Sequence, residues 1–284
     1  MLSSQKIEEY HEKGYLGISG VLTAAEVEDL KNVSEEFVEK SRQITEHDTV
    51  FDLEPDHTPE FPKLRRIKGP VKAHPVYNAA LNNERILDIV AQLIGPNIRT
   101  NGDKLNMKSA AFGSPVHWHQ DWAFYPHTND DLLAVGVAID DMTENNGCLM
   151  SIPGSHKGKI YDHHLDGRFC GAVTEDDFDD SDAELIQVEA GGISIHHVRA
   201  LHASLPNQSD NPRRLLLLQY CSGDAWPLCQ NLDWDLYVSS FVRGEPTLEP
   251  RMENVPWRMP LPAALRSGSI YENQAVLRSS TFKG

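Results

Sequence analysis

The hydrophobic positions change their period once along this chain, near residue 98. Before that point they recur at helical spacing. "SSQKIEEYHEKGY" opens on serines placed to cap a helix and ends near Gly14. Thr23 is placed to cap "AAEVEDLKNVSEEFVEKSRQI", where apolar residues return every three or four positions. "NERILDIVAQLIG" (83–95) predicts a third helix, stopped by Gly95-Pro96. Residues 47–75 carry many Pro, Asp and His residues with no clear period, which predicts a loop or lid. Beyond residue 98 the apolar runs are short and separated by turn residues: "KLNMKSAAF", "LLAVGVAIDDM", "CLMSIPGS", "GGISIHHV" and "RRLLLLQYC". Such spacing predicts an antiparallel sandwich or barrel. After residue 225 the periodicity fades, and the tail is expected to pack on the core or to form an oligomer contact, a homodimer being entertained.

Composition narrows the function classes. The 284 residues suit a single domain, with a helical N-terminal layer and lid loop over 1–97, a β core over 98–225 and a packing tail over 226–284. A net charge of -16 argues against nucleic acid or an anionic membrane as partner, since both need a positive surface. The basic run "KLRRIK" (63–68) reads as solvated surface or a substrate-side feature, and the acidic run 174–184 as a solvated loop. Cys148, Cys170, Cys221 and Cys229 have no CxxC pairing and read as reduced thiols. With no apolar leader and no run of 18 apolar residues, a cytoplasmic location is expected.

The candidate chemistry lies in "HWHQDWAFYPH" (117–127). On a strand, residues i and i+2 share a face, so His119 and Asp121 would project together. An imidazole and a carboxylate so placed are two thirds of the facial triad that holds non-haem Fe(II). An HxD triplet alone is weak, because chance produces it often. A third ligand must come from a distant strand, and "GGISIHHVRALHASLPNQSDNPRR" offers His196, His197 and His202. His202 stands before the turn "LPNQSDNP", and Arg213, eleven residues later, could grip a carboxylate in the same pocket.

Together, "HQD", "NNGCLMSIPGSHKG" and "LHASLPNQSDNPR" resemble the phytanoyl-CoA dioxygenase family of Fe(II)- and 2-oxoglutarate-dependent oxygenases. The resemblance implies a double-stranded β-helix, or jelly-roll, with flanking helices. It implies iron ligands His119, Asp121 and His202, with Arg213 and Ser204 on the distal carboxylate of 2-oxoglutarate. Asn106 is similar to an asparagine that contacts the cosubstrate in one branch; that branch has a glutamine where this chain has Gly102, and Lys108 is a candidate substitute. The implied reaction consumes O2 and 2-oxoglutarate, releases succinate and CO2, and hydroxylates an unactivated C–H bond of a small molecule. An intact Asp121 favours hydroxylation over halogenation.

Trp122, Phe124, Tyr125 and His127 are candidates to line a substrate cavity, with jelly-roll core as the role expected of at least two of them. His117 and His156 are further substrate-side candidates, whereas His196 and His197 read as packing groups and His163 and His164 as loop residues. Arg65, Arg66 and Arg199 could bind an anion but are more often ion-pair partners. The 47–75 loop and the tail near Trp226 are candidate lids. A non-catalytic jelly-roll binding protein and a cupin-type metalloenzyme without 2-oxoglutarate are the alternatives; the placement of Arg213 favours the oxygenase.

Overall fold

The structure is a computed structural model, which describes residues 1–111, 113–229, 231–264 and 269–277. Helices α1 (Ser4–Lys13), α2 (Ala24–Ser41), α3 (Pro70–Ala73), α4 (Pro75–Leu81) and α5 (Glu84–Ile94) precede the β core, and α6 (Trp234–Ser239) and α7 (Ile270–Gln274) follow it. The strands are β1 (Tyr15–Ile18), β2 (Phe51–Leu53), β3 (Leu64–Lys68), β4 (Ile98–Lys108), β5 (Val116–His119), β6 (Leu132–Ala138) and β7 (Leu149–Ser151). They continue with β8 (His164–Leu165), β9 (Arg168–Phe169), β10 (Glu184–Ile186), β11 (Ile193–His197), β12 (His202–Ser204), β13 (Arg213–Ser222) and β14 (Phe241–Arg243).

Two antiparallel sheets face each other as a jelly-roll. The larger runs β1-β11-β6-β13-β4-β3-β2, with β14 also on β4; the smaller runs β10-β7-β12-β5. Strand β13 shows why its sequence is a continuous leucine run: both faces are covered. Leu216, Leu218 and Tyr220 point outward into the cluster shared with Leu30, Phe37, Ile86 and Val90 of α2 and α5. Leu215 and Leu217 point inward, where Ala134 and Ala138 of β6 leave room between the sheets.

The three long predicted helices form, α1 and α2 with the N-caps their sequences suggest. Thr23 and Glu26 make a reciprocal capping box on α2, while Ser3 and Asn83 cap α1 and α5. The N-terminal region is not purely helical, however, because β1, β2 and β3 extend the larger sheet. The stretch 47–75 therefore holds two strands, and "KLRRIK" contains β3. These strands carry no alternating signal because β2 is buried at every position, Asp52 included, and β3 buries Leu64, Arg65 and Ile67. Among the described residues no helix is long and apolar enough to cross a membrane.

Candidate active site

Strand β12 lies between β7 and β5, and its ladder sets His202 directly opposite His119. The two ring centroids are 4.0 Å apart. The spacing predicts that Asp121 shares a strand with His119, and the structure corrects this. Strand β5 ends at His119, and Asp121 opens a single 3-10 turn, Asp121–Ala123, that returns its carboxylate to the imidazoles. One ligand atom from each of His119, Asp121 and His202 lies within 4.8 Å of the other two, and all three residues are buried.

The backbone fixes the imidazole tautomers. His119 Nδ1 is 2.8 Å from the His117 carbonyl, and His202 Nδ1 is 2.9 Å from the Ala200 carbonyl. A carbonyl only accepts, so each Nδ1 carries the proton and each Nε2 keeps its lone pair for the shared centre. Burial depresses the His119 imidazole to about 3 and His202 well below its ordinary value, so both are neutral. Burial opposes the Asp121 charge, but the neighbouring His196 imidazole and the Lys104 ammonium outweigh it and hold the carboxyl well below its usual range. Two neutral nitrogens and one carboxylate, aimed at one point, fit a 2-His-1-carboxylate iron site with open positions. A second cluster, His47, Asp52 and Glu272, is equally tight. There the Arg65 and Arg66 guanidiniums each stand 3.5 Å from Asp52, which disfavours a divalent cation.

Gln120, between the two ligands, is held from every side. Its backbone N–H donates to His163 Nε2 at 3.0 Å, and its side-chain amide donates to the Lys159 and Arg199 carbonyls. Its Oε1 accepts from the Tyr161 N–H. His163 lies in a loop, as its sequence context suggests, but it is a buried strut: Nδ1 donates to Tyr161 O, which leaves Nε2 to accept. Removing that strut loosens the turn from His119 to Asp121. His163→Ala is expected to weaken metal binding by about 10- to 100-fold with the fold retained, checked by metal titration of the apoprotein alongside circular dichroism.

The cavity above these ligands has two polar ends. Arg213 and Ser204 line one. The Arg213 Nε and Nη2 both donate to the Gly147 carbonyl, which leaves Nη1 without a partner among the described residues. Gly147 is obligatory here: its φ is +72°, and a Cβ would come 2.2 Å from the Leu205 carbonyl. Lys104 and Gln219 line the other end, with Asn106 between the two. Arg213 and Gln219 are six residues apart on one strand, about 20 Å at the usual rise of ~3.3 Å per residue.

A family match settles the reading. The family model for phytanoyl-CoA dioxygenase (PhyH) matches residues 10–215. The chain belongs to the phytanoyl-CoA dioxygenase family. It is an Fe(II)- and 2-oxoglutarate-dependent dioxygenase, with His119, Asp121 and His202 as its metal site. Among its relatives, a probable alpha-ketoglutarate-dependent hypophosphite dioxygenase from Stutzerimonas stutzeri is 36% identical over 98% of this chain and 99% of its own length. A methylphosphonate hydroxylase from Gimesia maris is 26% identical over 77% of this chain and 80% of its own. Of solved structures, iron-bound EctD from S. alaskensis superposes with a TM-score of 0.67 at 22% identity, covering 90% of this chain and 88% of that one.

Within this family member, several candidates named from sequence lie outside the cavity. His117 does not share the His119 face, because a bulge between Val116 and His119 turns Val116 inward instead. Trp122 is fully buried in a core cluster, its Nε1 donating to Pro256 O. His127 is buried against the tail, bridged to Pro227. His156 packs against His197 and donates to the His11 carbonyl at the end of α1. Arg199 pairs with Asp130. Phe124 sets its edge on His119, and Tyr125 bonds Gln219; the two separate the metal cavity from an outer groove lined by Pro227, Leu228, Met259 and Leu261. Trp226 instead stacks near Tyr237.

Lys108 is not available to a ligand, since its ammonium donates to the Ser114 and Leu205 carbonyls. Gly102 pairs with Gln219, and a Cβ at 102 would sit 3.2 Å from the Gln219 amide oxygen. His196 also enters the cavity: its ring is 4.1 Å from that of His202, its Nε2 is 3.5 Å from Asp121 Oδ2, and neither ring nitrogen makes a hydrogen bond among the described residues.

Proposed function

We propose that this dioxygenase hydroxylates a compact phosphorus oxyanion, at a P–H bond as in hypophosphite or a C–H bond as in methylphosphonate. Lys104 carries the proposal. It lines the cavity at the end away from Arg213, and it makes no hydrogen bond or ion pair among the described residues. Fe(II), Asp121 and the 2-oxoglutarate dianion together leave one negative charge, which Arg213 cancels. Lys104 is then an enclosed cation without a counter-charge, a state a monoanionic substrate relieves. The names of two relatives, one a probable hypophosphite dioxygenase and one a methylphosphonate hydroxylase, point the same way.

In this reading His119, Asp121 and His202 hold the iron on one side. Arg213 Nη1 and the Ser204 hydroxyl take the distal carboxylate of 2-oxoglutarate, and Asn106, buried with an Oδ1 unpaired among the described residues, faces its middle. Lys104 and Gln219 orient the substrate oxyanion. Phe124 and Tyr125 shield the centre from water in the outer groove. Bound iron supplies the oxidising chemistry, one oxygen atom of O2 going to succinate, with loss of CO2, and the other to the product hydroxyl.

Succinate release over a substrate panel tests the assignment. Hypophosphite or methylphosphonate is expected to raise it well above the substrate-free background. L-Proline, the amino-acid substrate in the name of another relative, a hydroxylase 30% identical over 48% of this chain, is expected not to. Stimulation by proline with none by either phosphorus oxyanion would contradict the proposal.

A further inference from the structure

Helix α7 lies 55 residues beyond the family match, yet Ile270 and Tyr271 on it line the metal cavity. Two hydrogen bonds from one side chain fix the helix there. Gln274 Oε1 accepts from the His117 N–H at 3.0 Å, and Gln274 Nε2 donates to the Gly171 carbonyl at 2.8 Å. The peptide it grips belongs to the residue whose carbonyl orients His119. Ile270 adds an apolar contact with Val116 of β5. The Tyr271 ring sits against the Arg65 guanidinium, 5.0 Å from the ring centroid.

This docking leaves one group unexplained. The Tyr271 hydroxyl is buried and has no hydrogen-bond partner among the described residues. Burial pushes the phenol up to about 12, while the nearby Arg213 charge pulls it down, so at neutral pH it keeps its proton and can donate. A donor left unpaired in a closed site is unfavourable. A carboxylate offers about four acceptor positions, more than Arg213 Nη1 and Ser204 use.

We infer that Tyr271 is a cosubstrate-binding residue, its phenol donating to the distal carboxylate of 2-oxoglutarate beside Arg213 and Ser204. The inference rests on the assignment of the Arg213 end of the cavity to 2-oxoglutarate. The C-terminal segment thereby gains a specific role, since α7 closes that end and completes its set of donors.

Calorimetric binding to the Fe(II)-loaded enzyme under anaerobic conditions tests this, with 2-oxoglutarate and oxalate as ligands. Oxalate chelates the metal but has no distal carboxylate. Tyr271→Phe is expected to weaken 2-oxoglutarate about tenfold, as for a hydrogen bond to a charged group, and to leave oxalate unchanged. Arg213→Gln, the control, is expected to weaken 2-oxoglutarate further and to spare oxalate. If Tyr271→Phe binds 2-oxoglutarate within twofold of wild type while Arg213→Gln does not, the inference about Tyr271 is overturned. If Arg213→Gln also binds it normally, the assignment of that end to the cosubstrate falls. Equal weakening of both ligands by Tyr271→Phe would reduce its role to support of the metal site and likewise overturn the inference.

Discussion

With Asp121 replaced by alanine, Fe(II)-dependent succinate formation is expected to fall by about a thousandfold or more, because one third of the metal's protein ligands is gone. Stability should move differently. In the apoprotein Asp121 is a buried carboxylate among neutral imidazoles, with Lys104 as the cation nearby. The depressed carboxyl pKa means that the folded protein favours the charge, and its removal strands Lys104, so the melting temperature of the metal-free protein should fall modestly with a cooperative transition retained. Metal-induced stabilisation, which depends on binding to the folded state alone, should largely vanish. Thermal melts with and without Mn(II), run beside the succinate assay, separate this result from simple misfolding, which would abolish the apoprotein's cooperative transition.

The second large effect concerns Lys104. Lys104→Met retains the chain's bulk but removes the cation, and the apparent KM for the phosphorus oxyanion is expected to rise about a hundredfold, in the range for losing one partner of a desolvated charge pair. The dissociation constant for 2-oxoglutarate should change little, since Arg213 serves that ligand at the opposite end. A parallel loss of both affinities would show that Lys104 supports the site as a whole. The pH profile adds a sign. Burial lowers the Lys104 pKa, with the Asp121 charge opposing it. The cation that binds the anion is present below that pKa and lost above it. Wild-type kcat/KM should therefore decline on the alkaline side before the ordinary lysine range of about 10.4, and Lys104→Met should lack that limb.

Much of the metal site is legible in the sequence because its logic is local. "HQD" names two ligands, and "LHASLPNQSDNPR" places a histidine and an arginine on either side of one turn. The register of β12 on β5 then makes His119 and His202 neighbours. What stays hidden depends on cross-strand contacts that no spacing encodes. Lys104, Asn106 and Lys108 share one face of β4 by alternation, so the sequence cannot tell which lysine is free; the Ser114 and Leu205 carbonyls decide it by capturing Lys108. Gln219 lies beside Gly102 only because β13 pairs with β4 in that register. His163 reaches Gln120 from a loop 43 residues away, and Tyr271 arrives from a segment whose periodicity says little. In the N-terminal region β2 and β3 are obscured for a related reason: buried Asp52 and Arg65 interrupt the apolar alternation that marks a strand.

The central claim is that iron and 2-oxoglutarate oxidise a phosphorus oxyanion seated on Lys104. Phosphorus NMR of hypophosphite incubated with the Fe(II)-loaded enzyme, 2-oxoglutarate and O2 tests it most directly. The expected result is replacement of the substrate's triplet, from two P–H couplings, by the doublet of phosphite, one equivalent formed per succinate, and loss of that conversion in Lys104→Met. Succinate accumulating while the triplet persists, with methylphosphonate equally untouched, would contradict the account.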